Sequence, residues 1–143
     1  MVNKLSFLLV MMVFIASCLS MQGQEMTQKQ KEYEENKVEI FTLEERDNIQ
    51  MWVQEEVEKM GLSEEEISEY NNILLYYLGK IRRFDDKDKG NSKEEILQKL
   101  DKLIIKQNAD VKEILSEEQY KMHLEFYDKM VLMMKTRIAE FDY

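Results

Sequence analysis

The sequence contains no proline, and only four of its 143 residues are glycine. Proline and glycine shape tight turns and interrupt helices, so their scarcity leaves little of the turn chemistry that a β-sheet needs. The chain is rich in Glu, Lys, Leu, Ile and Met, most of which favour helix. We therefore predict an all-α fold with one domain of modest core.

Cysteine and histidine occur once each, as Cys18 and His123. A lone cysteine excludes an internal disulfide and a site of several thiolates. A catalytic metal site usually needs three protein ligands, so a single histidine without cysteine partners does not favour one. We expect His123 to be a structural residue at the margin of the core, with a metal ligand or an acid–base group as the alternatives. We expect no cofactor and no metal.

Residues that could carry out catalysis are also missing. The sequence has no glycine-rich phosphate loop and no nucleophile elbow. Its carboxylates fall on polar helix faces, where no apolar pocket would raise the pKa of a catalytic acid. Residues 85–91 fail as a calcium-binding EF-hand loop, because Lys87 and Lys89 occupy ligand positions. We therefore predict that the protein is not an enzyme.

The formal net charge of −9 is unevenly distributed. Residues 32–69 contain 14 acidic and three basic side chains, whereas residues 70–143 contain 14 of each. Nucleic acid and anionic membrane surfaces would repel such a chain. We expect no nucleic-acid binding, and membrane attachment only through a lipid anchor at Cys18.

The first 23 residues have the order of a secretory signal peptide: a positive start, the apolar run 5–15, then small residues. The run is shorter than the roughly 20 residues that span a membrane. Residues 15–18 resemble the lipobox of bacterial lipoproteins, in which Cys18 would be lipidated. We predict export to the periplasm, with cleavage near Ser20 or Gly23. A membrane-anchored lipoprotein and a retained N-terminal anchor are the alternatives.

Four helix starts share one pattern, the capping box. A hydroxyl side chain accepts a hydrogen bond from a backbone N–H of the first turn, and a Glu or Gln three positions later bonds back to the N–H of the capping residue. The pairs are Thr42 and Glu45, Ser63 and Glu66, Ser92 and Glu95, and Ser116 and Gln119. Each precedes apolar residues spaced by three and four, which predicts helices over about 43–60, 64–84, 93–115 and 117–139. Gly61 is expected to end the first in the left-handed conformation.

Residues 24–42 are polar and charged. We interpret them as a flexible lead-in with at most transient helix. The alternative is a helix docked through Tyr33, Val38 and Ile40. The helical domain is accordingly predicted over residues 43–143.

The second and fourth predicted helices begin alike. Residues 62–66 read Leu-Ser-Glu-Glu-Glu, and residues 115–119 read Leu-Ser-Glu-Glu-Gln, 53 positions later. The apolar positions that follow keep the same displacement. Two readings stay open: a pair of similar helix–turn–helix units, or a chance match between two capped helices in a Glu-rich chain.

Residues 114–122 resemble the LTxxQ motif of the Spy/CpxP family of bacterial periplasmic proteins, with Ser116 in place of threonine. Residues 62–66 resemble a first copy, with Glu66 in place of glutamine. The resemblance covers about residues 43–138. It implies that the motif residues are helix caps: Leu62, Ser63, Glu66, Leu115, Ser116 and Gln119.

The resemblance also implies a four-helix protein that forms a curved, antiparallel dimer. Family members work in envelope stress as ATP-independent chaperones, as inhibitors of sensor kinases or as metal-responsive proteins. This chain departs from the chaperones, which present a basic concave surface, because its first half is acidic. It departs from the metal-responsive members, which carry several histidines, because it has His123 alone.

We expect an envelope-stress chaperone that holds unfolded proteins on an apolar helical surface, and a homodimer that covers surplus apolar positions. The alternative is a regulatory or structural protein that binds one envelope partner. The residues expected on the client or dimer surface are Tyr70, Tyr77, Tyr127, Met130 and Met134. The methionines of the fourth helix suit a core or an adaptable binding surface, with copper(I) binding as the alternative. These are Met122, Met130, Met133 and Met134.

Overall fold

The computed structural model describes residues 26–142, which contain five α-helices, one 3₁₀-helix and no strand. The all-α prediction is therefore confirmed. The elements are α1 (Gln28–Asn36), α2 (Leu43–Lys59), α3 (Glu64–Ile81), the 3₁₀-helix (Lys87–Lys89), α4 (Lys93–Ile114) and α5 (Glu117–Glu140). The predicted signal peptide and Cys18 lie outside the described residues.

The four predicted capping boxes are all present, one at the start of each helix from α2 to α5. At α5 the Ser116 hydroxyl accepts a hydrogen bond from the N–H of Gln119 at 3.3 Å. The Gln119 side chain accepts one from the N–H of Ser116 at 2.9 Å. Gly61 follows α2 with φ of 64°, in the left-handed region, as predicted.

A helix also occupies the lead-in, where we predicted a flexible segment. The Thr27 hydroxyl accepts a hydrogen bond from the N–H of Gln30 at 3.3 Å, and Gln30 Oε1 accepts one from the N–H of Thr27 at 2.8 Å. Further along, the side chains of Gln28 and Asn36 both donate to Glu32. These local bonds explain why nine polar residues form α1 although none of them is buried. The compact units of the chain divide after Asn36, so α1 belongs to the first unit and α2 to α5 belong to the second.

In the second unit, α5 packs against both α4 and α2. The start of α4 lies beside the end of α5, where Lys93 Nζ donates to the Ala139 carbonyl at 3.0 Å. One ion pair, Lys135 with Asp101 at 2.5 Å, joins the same two helices. At the start of α2, Glu45 pairs with Arg137 near the end of α5. These contacts hold α4 and α2 against α5.

The core lies where α3 meets α4 and α5. Tyr70 of α3 and two residues of α4, Leu100 and Val111, are completely buried. Helix α5 contributes a row of buried residues. That row comprises His123, Phe126, Tyr127, Val131 and Ile138. On α3 the buried residues are Tyr70 and Tyr77, while Leu78 is 45% exposed. The homodimer stays a prediction.

The connection from α3 to α4 differs from the prediction that helix continues to Phe84. The helix ends at Ile81 and a turn follows. The Asn91 side chain donates to the Phe84 carbonyl at 2.8 Å, and the buried carboxylate of Asp86 pairs with Arg83. The N–H groups of Arg83 and Phe84 donate to the carbonyls of Lys80 and Ile81, three residues back, and Asn91 satisfies the Phe84 carbonyl. The α-helix therefore ends three residues early in a tighter turn.

Candidate functional site

His123 is the centre of a buried polar and aromatic cluster, and none of its surface is exposed. Its Nδ1 lies 2.7 Å from the Tyr70 hydroxyl on α3, and its Nε2 lies 3.1 Å from Asn108 Oδ1 on α4. Since an amide oxygen only accepts, Nε2 donates to Asn108 and Nδ1 accepts from Tyr70. The neutral imidazole therefore satisfies both of its nitrogens while it joins three helices.

Aromatic rings surround this imidazole. Tyr127 and Tyr120 stack on it at 4.8 Å and 6.0 Å between ring centroids, and Phe126 meets it edge-on at 5.7 Å. Burial lowers the pKa of His123 from 6.5 to about 4. The described residues contain no group of three or more His, Cys, Asp or Glu side chains placed to hold a metal ion. His123 thus lies deeper than the core margin where we expected it.

A second buried polar contact joins α3 to α4. The Tyr77 hydroxyl donates to Asp110 Oδ2 at 2.6 Å, and this hydrogen bond, with burial, raises the pKa of Tyr77 to about 12. Gln107, completely buried on α4, lies beside the Tyr127 hydroxyl, whose pKa burial raises. The Asp110 carboxylate keeps the Tyr77 hydroxyl neutral, whereas burial itself keeps the Tyr127 hydroxyl neutral, because charge in the core would be costly.

The predicted client or dimer surface is wrong for three of its five residues. Tyr70, Tyr77 and Tyr127 are buried within the chain. The hydroxyl groups of Tyr70 and Tyr77 also bond to His123 and Asp110 on neighbouring helices. Met130 and Met134 are half-buried. The tyrosines therefore stabilise the packing of α3, α4 and α5 and offer no surface to a client.

Sequence reasoning did not single out Asn108, Gln107, Asp110 or Asp86. Gln107 had a usable signal, because it continues the buried spacing of Leu100 and Ile104 along α4 with a polar side chain. A polar residue in an apolar stripe indicates a buried hydrogen-bonding partner. Asn108 and Asp110 had no such signal, since each meets its partner through tertiary packing, and Asp86 pairs with Arg83 within the turn that follows α3.

The motif residues occupy the cap positions that the resemblance implied. Ser63 and Ser116 accept hydrogen bonds from the N–H groups of Glu66 and Gln119, and both boxes are reciprocal. The leucines that precede them, Leu62 and Leu115, are buried. The two capping boxes therefore begin α3 and α5.

Large apolar side chains are exposed elsewhere on α2 to α5. They are Leu43, Met51, Tyr76, Leu78, Ile105, Leu132 and Met133. Ile105 and Leu132 are the most notable pair, with 70% and 66% of their surface exposed. Ile105 lies one turn beyond Asp101 on α4, and Leu132 lies one turn before Lys135 on α5. Because Asp101 pairs with Lys135, the two aliphatic side chains lie on the same side of the helix pair.

Comparison with known proteins identifies no relative. No protein-family model, no curated protein and no solved structure matches this chain. Among residues 26–142, every helix is too short or too polar to cross a membrane. The geometry gives two candidate sites. One is the buried His123 cluster, which stabilises the fold, and the other is formed by the exposed side chains of Ile105 and Leu132, which are accessible to a binding partner.

Proposed function

We propose that this protein is an exported, non-enzymatic binding protein of the chaperone type, which holds partly unfolded polypeptides on apolar helical surface. The observation that carries the proposal is the pair Ile105 and Leu132, which we name the aliphatic patch. Two large aliphatic side chains, each about two-thirds exposed, lie one turn away from the ion pair that joins α4 to α5. Such groups would gain about 25 cal/mol per Å² when a client covers them.

The charges around the patch suit the same role. Asp101 and Lys135 flank it with one charge of each sign, and the ion pair is partly exposed. The acidic residues 32–69 add a negative field that would attract clients with basic, apolar segments. The resemblance of residues 62–66 and 115–119 to the LTxxQ motif supports a role in envelope stress. The homodimer implied by that resemblance stays a prediction.

The holding activity is tested by aggregation of two unrelated proteins, one basic and one acidic, at low salt and without ATP. We expect the mature chain to slow both and to favour the basic client, with added salt reducing that preference. The double variant I105Q/L132Q should act on the order of tenfold more weakly, because two aliphatic contacts are lost. Its melting temperature should stay close to that of the wild type, since exposed positions contribute little to stability.

M51Q is the matched control, because Met51 is 57% exposed on α2, outside the aliphatic patch. It should hold clients as the wild type does. If the folded wild-type protein in several-fold excess leaves the aggregation of both clients unchanged, the chaperone proposal fails. The single-partner regulator then becomes the better interpretation.

Export is tested separately, on the protein recovered from its native host. We expect mass spectrometry to find a mature N-terminus between Cys18 and Gln24. A lipid-modified N-terminal cysteine, abolished in C18A, would identify the lipoprotein form. An intact Met1, or a mature chain that still carries residues 5–15, would contradict export with cleavage.

A further inference from the structure

A surface groove of about 420 Å³ lies where the end of α3, the following loop and the start of α4 meet. Four of its lining residues are cationic, and none is acidic: Lys80, Arg83, Lys89 and Lys99. A cluster of this kind is unexpected in a chain of net charge −9. The groove therefore has an electrostatic character opposite to that of the protein as a whole.

Two of these cations have carboxylate partners: Arg83 pairs with Asp86, and Lys89 pairs with Asp88. Lys80 and Lys99 have neutral partners instead. Lys80 Nζ donates to the Tyr76 hydroxyl at 2.5 Å and lies 4.1 Å from the centre of that ring. Lys99 Nζ donates to the side-chain oxygen of Asn91. Their positive charges are not cancelled by these contacts and are available to an anion.

The walls of the groove are held in place. Asn91, which accepts from Lys99, also donates to the Phe84 carbonyl at 2.8 Å. Asp86 is buried and pairs with Arg83, which fixes the loop behind the groove. Phe84 adds an aromatic wall beside the cations. Groups fixed in this way lose little conformational entropy when a ligand binds.

Gly79 lines the same groove from within α3. Glycine in a helix is unfavourable compared with alanine, and Gly79 lies in the last turn of α3. A Cβ atom at this position would meet no heavy atom within 4 Å, so packing inside the chain does not require glycine. The missing side chain leaves room on the groove side, where a ligand would approach the helix backbone closely.

We propose that this groove binds a small amphiphilic anion, a carboxylate or phosphate group carried on a short acyl or aromatic body. Lys80 and Lys99 pair with the anionic head. Phe84 and the open surface above Gly79 contact the apolar body. The volume lies at the small end of the range for ligand sites, which suits a single small molecule better than a helical segment.

The test titrates the mature chain with octyl phosphate and with octanoate at low salt, followed by calorimetry and by amide NMR shifts of Gly79 and Phe84. Inorganic phosphate supplies the head alone, and octanol supplies the body alone. Both should bind far more weakly than the amphiphiles. Raising the salt concentration should weaken the binding of the amphiphiles, because the lysines are exposed to solvent.

Two variants address the two halves of the site. K80Q/K99Q should lower the affinity at least about tenfold, because two charge-assisted contacts are lost. K102Q/K106Q removes the same charge from exposed lysines of α4 that do not line the groove, and should bind within about twofold of wild type. G79L should abolish binding by filling the groove, while G79A and G79L melt at or above the wild-type temperature.

Three results would overturn the proposal. The first is no saturable binding of either amphiphile at millimolar concentration. The second is equal weakening by K80Q/K99Q and K102Q/K106Q, which would mean attraction by general charge. The third is unchanged binding in folded G79L. Vesicles containing phosphatidylglycerol identify the source: retention that is lost in K80Q/K99Q indicates a lipid headgroup, and binding of octyl phosphate without retention indicates a free amphiphile.

Discussion

Replacing Phe126 with alanine should lower the free energy of unfolding by about 3–5 kcal/mol, the largest effect that we expect from a single substitution. Only 2% of the Phe126 side chain is exposed. Its ring meets Trp52 of α2 edge-on at 6.1 Å and lies 5.7 Å and 6.3 Å from the rings of His123 and Tyr127. Truncation would remove these ring contacts and leave a cavity between α2 and the rest of the core.

Urea unfolding at neutral pH measures this loss, with L132A as the control. Leu132 lies on the same helix but is 66% exposed, so its truncation should change stability by no more than about 0.5 kcal/mol. A loss below about 1 kcal/mol for F126A would contradict the packing of α2 on α5. F126L should recover part of the stability, because it restores apolar volume without the ring contacts.

The helix starts could be predicted because their signal is local. A capping box needs only two side chains three positions apart, so each of the four boxes could be recognised without knowing what the helix packs against. The start of α1 has the same pattern at Thr27 and Gln30, and its signal was therefore present. The sequence does not predict a helix there, because few apolar residues follow Thr27 and a predicted helix needs both a capping box and an apolar stripe.

The inward faces of the helices were also predictable, but the environment of each side chain was not. Spacing by three and four placed Tyr70 and Tyr77 on an apolar stripe, and a stripe can face a core or a partner equally well. The Tyr70 hydroxyl bonds to His123, which lies 53 positions away in the sequence, and the Tyr77 hydroxyl bonds to Asp110, which lies 33 positions away. Contacts over such separations depend on how α3, α4 and α5 pass one another.

The basic groove was not predicted for the same reason. Lys80 and Lys99 belong to different helices, and the sequence of residues 85–91 indicates only that they do not form a calcium-binding loop. The loop brings Asn91 to the Phe84 carbonyl, and this contact places Lys99 beside the end of α3. The segregation of charge along the chain indicated an acidic first half but gave no sign of a local cluster of opposite charge.

His123 makes the stability of the fold depend on pH in a defined direction. In the unfolded chain the imidazole has its ordinary pKa of 6.5, whereas burial lowers its pKa to about 4 in the folded protein. The unfolded state therefore binds more protons than the folded state between these values, so stability falls as the pH falls. The contribution is complete above pH 6.5 and is lost progressively down to about pH 4. At pH 5 the loss should be about 2 kcal/mol.

The groups that face the imidazole allow a conservative test. They are the Tyr70 hydroxyl from α3, the Asn108 amide from α4, and the rings of Tyr120 and Tyr127 from α5. Burial raises the pKa of the Tyr70 and Tyr127 hydroxyl groups, and an amide does not titrate, so these groups stay neutral between pH 5 and 7.5. A glutamine at position 123 can accept from Tyr70 and donate to Asn108 as the neutral imidazole does, but it cannot be protonated in this range.

Urea unfolding of wild type and H123Q at intervals between pH 7.5 and 5 measures the difference. We expect the wild type to lose about 2 kcal/mol over this interval and H123Q to change much less. Y70F, which keeps the buried imidazole, should retain the wild-type slope. The capping carboxylate of Glu66 has a lowered pKa and loses its contribution only as the pH falls below 4.5, in wild type and variant alike. Equal slopes for wild type and H123Q would show that His123 is not held neutral in the core, and a His123 proton signal that titrates near pH 6.5 in the folded protein would show the same.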